Sequence, residues 1–201
     1  MSNAIDTEPV IEAGGIIPVF NPSTEEQIAE VPDSDRAAVD AAVARARETF
    51  ESGVWRRLPA ARRAEVLFRA AEIIKQRTEE LAELESRDNG MTAMGASQII
   101  KVSQEMLTYY AGWVGKTHGD SYNMVSDGLL GNFETYHAFT QLEPVGVVGL
   151  IIPWNGPFFV AMLKVAPALA AGCSAVLKPA EETPLTALKL AKVLADILPE
   201  G

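Results

Sequence analysis

Two short apolar runs near the end of the chain constrain its fold more than any other feature. The first, Val145 to Ile152, stops at Pro153-Trp154-Asn155. The second, Ser174 to Leu177, stops at Lys178-Pro179-Ala180-Glu181. Apolar runs of this length, bounded by polar and turn residues, fit strands buried on both faces of a parallel sheet. The stretch between them predicts a crossover helix over about 158–170. Ligands of such sheets bind beyond the carboxyl ends of the strands. Asn155 ends the first strand, and Lys178 with Glu181 end the second, so the polar chemistry converges on one edge.

Bulk properties remove several classes of function. The 201 residues are 48% hydrophobic, which fits a globular chain with a real core. A net charge of -10 opposes non-specific nucleic-acid binding, which needs a basic face. No run approaches the roughly 20 apolar residues of a membrane-spanning helix, and no secretory signal pattern opens the chain. The single cysteine, Cys173, excludes an internal disulfide and a cysteine-built metal site, and suits a reducing cytoplasm. His118 and His137 are too far apart in sequence for a helical ligand pair, so no metal site is expected.

The rest of the chain divides by texture into four segments. Residues 1–33 are irregular, with Pro9, Gly14, Gly15, Pro18, Pro22 and Pro32 as punctuation and a hairpin around Asn21 to Glu26. Residues 34–115 form a helical layer. Its first helix starts behind a Ser34 cap and packs through Val39, Ala42, Val43, Ala46 and Phe50. Pro59 opens a second, with Val66, Phe68, Ala70, Ala71 and Ile74 as its apolar surface. A third runs to Asp88 and stops at Asn89-Gly90, and its charged end at Glu85, Arg87 and Asp88 reads as a solvated face. A fourth runs from Ala93 to Gly115, with Ile99, Val102, Met106, Tyr109, Tyr110 and Trp113 as a stripe that reads as core packing, the alternative being a ligand surface. Residues 116–144 read as an extended linker with one or two strands. Residues 145–201 are a βαβα unit whose last helix has Thr183 as cap, Pro184 at its first position, and Leu185, Leu188, Ala191, Leu194 and Ile197 as its packing face. Two strands are too few for a complete nucleotide-binding domain.

Asn155 is the strongest catalytic candidate. A fixed side-chain amide can donate to the oxygen that gains negative charge when a nucleophile attacks a carbonyl. The plainer alternative is an Asn that caps the helix that follows or builds a turn. Lys178 and Glu181 are candidates for holding a cofactor: a carboxylate accepts from ribose hydroxyls and repels a 2′-phosphate, and an ammonium can donate to the same ribose. The plainer alternative is a surface ion pair of little consequence. Ile151, Ile152, Pro153 and Trp154 line the same strand end, and Ala180 sits in the second motif. Cys173 lies in a turn with no basic neighbour in sequence to lower its pKa, and reads as packing rather than as a nucleophile. Lys164 reads as a solvated or snorkelling side chain.

Pro153-Trp154-Asn155 and Lys178-Pro179-Ala180-Glu181, each after a strand, resemble the NAD(P)-dependent aldehyde dehydrogenase superfamily. Asn21-Pro22-Ser23-Thr24-Glu25-Glu26, the stretch from Glu83 to Met91, Tyr109-Tyr110-Ala111-Gly112-Trp113 and Pro167 to Gly172 are similar to that family in the same order. The resemblance implies an α/β fold: a helical N-terminal layer feeding the first strands of a doubly wound, Rossmann-like parallel sheet. It maps Asn155 onto oxyanion stabilisation, and Lys178 and Glu181 onto the adenosine ribose of NAD, with NADP also possible. It implies binding without a Gly-x-Gly-x-x-Gly loop, a structural Cys173, support of the site by Lys164, and a substrate pocket near Trp113, Phe158 and Met162. Residues 116–144 would help build a homodimer or homotetramer of a cytoplasmic enzyme.

The expected function is therefore the N-terminal portion of an oxidoreductase that converts an aldehyde to a carboxylic acid with NAD(P). The nucleophilic Cys and the base Glu would lie downstream of Gly201, so these 201 residues alone would be inactive. The alternative is a non-catalytic dinucleotide-binding or partner-docking module.

Overall fold

The structure is a computed structural model that describes residues 15–127 and 133–199. The opening of the expected irregular segment and the final Glu200-Gly201 lie outside the described residues. Among the described residues six helices and six strands follow in the order ββααααβββαβα. The strands pair into three separate two-stranded sheets.

The local sequence accounts for most of the element boundaries. β1 (Gly15–Phe20) and β2 (Gln27–Asp33) form an antiparallel hairpin closed by the turn at Asn21. α1 (Arg36–Ser52) is capped by Asp35, whose carboxylate accepts the Ala38 N–H at 2.8 Å, so the cap falls one residue after the expected Ser34. α2 (Ala60–Gln76) starts after Pro59 and is followed at once by α3 (Thr78–Asn89), with Arg77 between them. Gly90 ends α3 in the left-handed conformation at φ 78°, and an added Cβ there would lie 2.8 Å from Pro22 Cγ of the hairpin turn. Glycine is thus needed twice, for its dihedral and for the close approach. α4 (Ala93–Trp113) is capped by the Thr92 hydroxyl, which accepts the Gly95 N–H.

α4 is the hub of the helical layer and packs against α2, α3 and α5 (Pro157–Ala171). Its buried face is Ala96, Ile100, Ser103, Leu107 and Ala111. The expected stripe lies elsewhere on the helix, and its Tyr109 and Trp113 are 59% and 45% exposed. The helix carries apolar residues at helical spacing on two faces, and the small-residue face is the one that lets it approach its neighbours. In α1 the expected Ala46 is buried together with Ala38, while Val39 and Val43 are exposed; in α2 the expected Ala70, Ala71 and Ile74 are buried, with Leu67 in the core and Phe68 exposed. Phe158, Ala161, Met162 and Ala166 of α5 complete the main core with Leu190 and Val193 of α6 (Leu185–Ala195). A smaller cluster joins Val19 and Val31 of the first hairpin to Leu84 and Leu185.

β3 (Ser121–Asp127) and β4 (Phe133–Phe139) form an antiparallel ribbon that is exposed along nearly its whole length. β5 (Val147–Ile151) and β6 (Ser174–Lys178) pair in parallel, from Val147 opposite Ser174 to Ile151 opposite Lys178. α5 makes the crossover between them and packs on both, and α1 also lies against them. Full burial of these strands was expected, but β5 and β6 are mostly half-buried and Ile151 is 69% exposed. Among the described residues the sheet has two strands, so each keeps an unpaired edge and lacks the neighbours that would cover it. No described helix is long and apolar enough to cross a membrane.

Trp55, in the turn between α1 and α2, is buried and donates its indole N–H to Leu169 O at 3.0 Å, tying the helical layer to the end of α5. Trp55→Phe removes this donor while Leu169 O keeps the Gly172 N–H, and is expected to destabilise the chain by about 0.5–1.5 kcal/mol in urea unfolding.

Candidate active site

The parallel register brings the expected residues to one edge. Ile151 at the end of β5 lies opposite Lys178 at the end of β6, and Ile152 N–H extends the ladder by donating to Lys178 O at 3.1 Å. The turns that follow the two strands touch: Thr183 donates its hydroxyl to Trp154 O at 3.0 Å. Asn155 and Glu181 therefore sit on adjacent loops above the same strand ends.

Within this edge the residues differ in what they offer. Asn155 is exposed, and α5 takes Gly156 rather than Asn155 as its N-cap, with no side-chain cap hydrogen bond. The helix-capping alternative for Asn155 is thereby removed. Lys178 Nζ lies 2.8 Å from Glu181 Oε2, with both side chains more than half exposed. The hydrogen bond from Lys178 holds the Glu181 carboxyl below its ordinary range, so it is ionised at neutral pH. Ile151, Pro153 and Trp154 are exposed at the strand end, whereas the side chains of Ile152 and Ala180 are buried. Ala180 contributes its carbonyl, which accepts the Thr183 N–H and closes the turn that carries Glu181. Lys164 reaches back from α5 and donates to the Ile151 carbonyl. Cys173 is buried, and its N–H donates to Ala168 O in the turn after α5.

The expected pocket residues separate. Phe158 and Met162 are fully buried core, while Trp113 is exposed. Val102, Glu105, Met106, Tyr109 and Tyr110 of α4 form with Leu163 of α5 an open groove of about 400 Å³. The aromatic side of α4, expected to be core, lines this groove instead.

The C-terminal turn of α3 proved more informative than its sequence. Glu85 and Asp88, expected on a solvated face, are 0% and 1% exposed. Glu85 Oε1 accepts the Phe158 N–H of α5 at 3.4 Å, and its Oε2 accepts the Thr186 hydroxyl of α6 at 2.6 Å. Asp88 Oδ2 accepts the Leu185 N–H at 2.9 Å, and Asp88 Oδ1 is buried without a protein partner. Asn89 Nδ2 donates to Trp154 O at 3.0 Å. α5 and α6 lack side-chain caps of their own, and the two acids of α3 serve instead. Thr183, expected to cap α6, spends its hydroxyl on Trp154 O. One sequence signal pointed to this role: carboxylates in the last turn of a helix oppose its dipole and so call for compensation elsewhere.

A model of the aldehyde dehydrogenase family matches residues 11–201. The chain belongs to this family. Phenylacetaldehyde dehydrogenase of Pseudomonas fluorescens is 43% identical over 185 residues, 91% of this chain and 36% of that protein. Human retinal dehydrogenase 2 is 39% identical over 187 residues, 92% of this chain and 35% of that protein. The NAD+ complex of an aldehyde dehydrogenase from Bacillus cereus superposes with a TM-score of 0.85 at 40% identity, covering 93% of this chain and 37% of that one. This aldehyde dehydrogenase family chain thus spans little more than a third of the length of the relatives it matches, and corresponds to their N-terminal part.

Burial raises the Asp88 carboxyl to about 7 against the Leu185 hydrogen bond, with the charge of Glu85 adding to the rise. The unfolded chain releases this proton near pH 4, so between pH 4 and 7 the native state holds the extra proton. The contribution of Asp88 to stability is full below pH 4 and is lost as pH rises through 7. Asp88→Asn keeps an acceptor for Leu185 but cannot titrate. Urea unfolding is expected to show Asp88→Asn gaining roughly 1–3 kcal/mol relative to the wild type between pH 5 and pH 8.

Proposed function

We propose that the chain is the N-terminal portion of an NAD-dependent enzyme that oxidises an aldehyde to a carboxylic acid. In this reading the β5–β6 edge supplies one oxyanion donor and part of the nucleotide site. The observation that supports it is the parallel register that sets Ile151 opposite Lys178, with the loop before Asn155 tied to the turn after Glu181 through Thr183 and Trp154 O. NADP remains compatible with the reading, but an ionised Glu181 repels a 2′-phosphate and favours NAD.

The residues fit a nucleotide by their chemistry. The Glu181 carboxylate accepts from the ribose hydroxyls and Lys178 donates to them. Trp154, Pro153 and Ile151 offer exposed apolar surface beside the strand end, and Ile152 and Ala180 contribute backbone. NAD, when bound, supplies the hydride acceptor. Asn155 donates its amide N–H to the aldehyde oxygen as a thiolate from outside these 201 residues adds to the carbonyl carbon. The donor is fixed before charge develops, so it stabilises the transition state more than the substrate. The adduct would lose its hydride to that acceptor, and water would then hydrolyse the thioester left behind to the acid and return the thiolate.

Two of the relatives are named for phenylacetaldehyde and retinal, both largely apolar aldehydes. The groove lined by Val102, Met106, Tyr109, Tyr110 and Leu163, with Glu105 as its one charged residue, suits a largely apolar aldehyde substituent, and Asn155 precedes the helix that carries Leu163. Contact between copies in a homodimer or homotetramer is assigned to the β3–β4 ribbon, where Met124, Val125, Phe133 and Phe139 are exposed. The unpaired Cys173 supports a cytoplasmic location.

Steady-state kinetics of the full-length enzyme test the reading. Asn155→Ala is expected to lower kcat about 100- to 1,000-fold with the KM for NAD little changed. Glu181→Gln is expected to raise the KM for NAD and to narrow discrimination against NADP. A kcat within threefold of wild type for Asn155→Ala would remove the oxyanion role.

A further inference from the structure

We propose that Asn89 and Thr183 are positioning residues for Asn155, acting through the carbonyl of the residue before it. This inference rests on the catalytic reading of Asn155 given above. The Trp154 carbonyl belongs to the peptide whose nitrogen is that of Asn155, so the direction of this carbonyl fixes the plane from which the Asn155 side chain departs. Two side chains from separate elements hold it. Asn89 Nδ2 donates from the last residue of α3 at 3.0 Å, and Thr183 Oγ1 donates from the turn after β6 at 3.0 Å.

Each donor is itself anchored. Thr183 is buried, and its N–H donates to Ala180 O. Asn89 follows Asp88, which grips Leu185 N–H, and α3 also holds Phe158 N–H through Glu85. The loop from Trp154 to Phe158 is therefore gripped at both ends by side chains of α3, with Asn155 between the grips. A third point, at Leu185, ties the β6 loop to the same helix. The side chain of Asn155 carries no cap or strut of its own, so its aim depends on the peptide plane beneath it. An oxyanion donor must be held to within about 0.5 Å of its working position, and misplacement by about 1 Å costs up to 100-fold in rate.

A thermodynamic cycle in the full-length enzyme tests the assignment. Thr183→Val removes the hydroxyl at nearly constant shape, Thr183→Ser retains it, and Asn89→Ala removes the other donor without touching the buried turn. Thr183→Val and Asn89→Ala are each expected to lower kcat about 10-fold with the KM for NAD within twofold. Thr183→Ser is expected to keep kcat within about twofold of wild type. In the Asn155→Ala background, Thr183→Val and Asn89→Ala are expected to cost less than twofold more, since a positioning residue has nothing left to position. Full, independent losses in that background would show a general structural role and overturn the proposal. Unchanged kcat in both single variants, with Asn155→Ala still impaired, would overturn it as well. If Asn155→Ala itself is unimpaired, the catalytic reading fails first and the positioning role goes with it.

Discussion

Two carboxylates buried at the end of one helix organise this structure. Glu85 and Asp88 accept from the N-termini of α5 and α6, which provide neither cap internally. A helix N-terminus buried without an acceptor strands its first N–H groups, so α5 and α6 can pack into the core only because α3 meets them there. The positive ends of both helix dipoles also point at these acids, which offsets part of the cost of burying them. The crossover helix, the β6 loop and the helical layer are thereby locked to a common reference. Without that lock the parallel pair would be two strands and a helix resting on an apolar surface, which is non-directional.

The division of labour in α4 follows from the same packing. Its small-residue face lets α2, α3 and α5 come close enough to share one core. Its aromatic face is consequently turned outward, where Tyr109 meets Tyr110 edge-on at 5.3 Å between ring centroids and also contacts Trp113. A helix that is apolar on two sides thus serves as both core and groove wall.

The sequence disclosed the parallel unit because Val145 to Ile152 and Ser174 to Leu177 end abruptly at polar motifs, and chain direction then dictates that both ends share an edge. It disclosed the end of α3 because Asn89-Gly90 is a strong stop. The expected Ala46 of α1 and Ala70, Ala71 and Ile74 of α2 are in the core, but hydrophobicity also ranked Val39, Phe68 and Tyr109 as core, whereas close helix contact selects Ala38 and Ala96. Glu85, Asp88, Asn89 and Thr183 were beyond reach of spacing. Their partners lie 73, 97, 65 and 29 residues away along the chain, and no local pattern encodes such a meeting.

The doubly bonded carbonyl of Trp154 has an effect on polarity as well as on shape. A peptide oxygen has two lone pairs, and Asn89 and Thr183 occupy both. The turn therefore has no vacant acceptor there to attract the neighbouring amide or to repel an incoming negative oxygen. An anion that approaches this turn meets a carbonyl whose negative end is already screened by two donors.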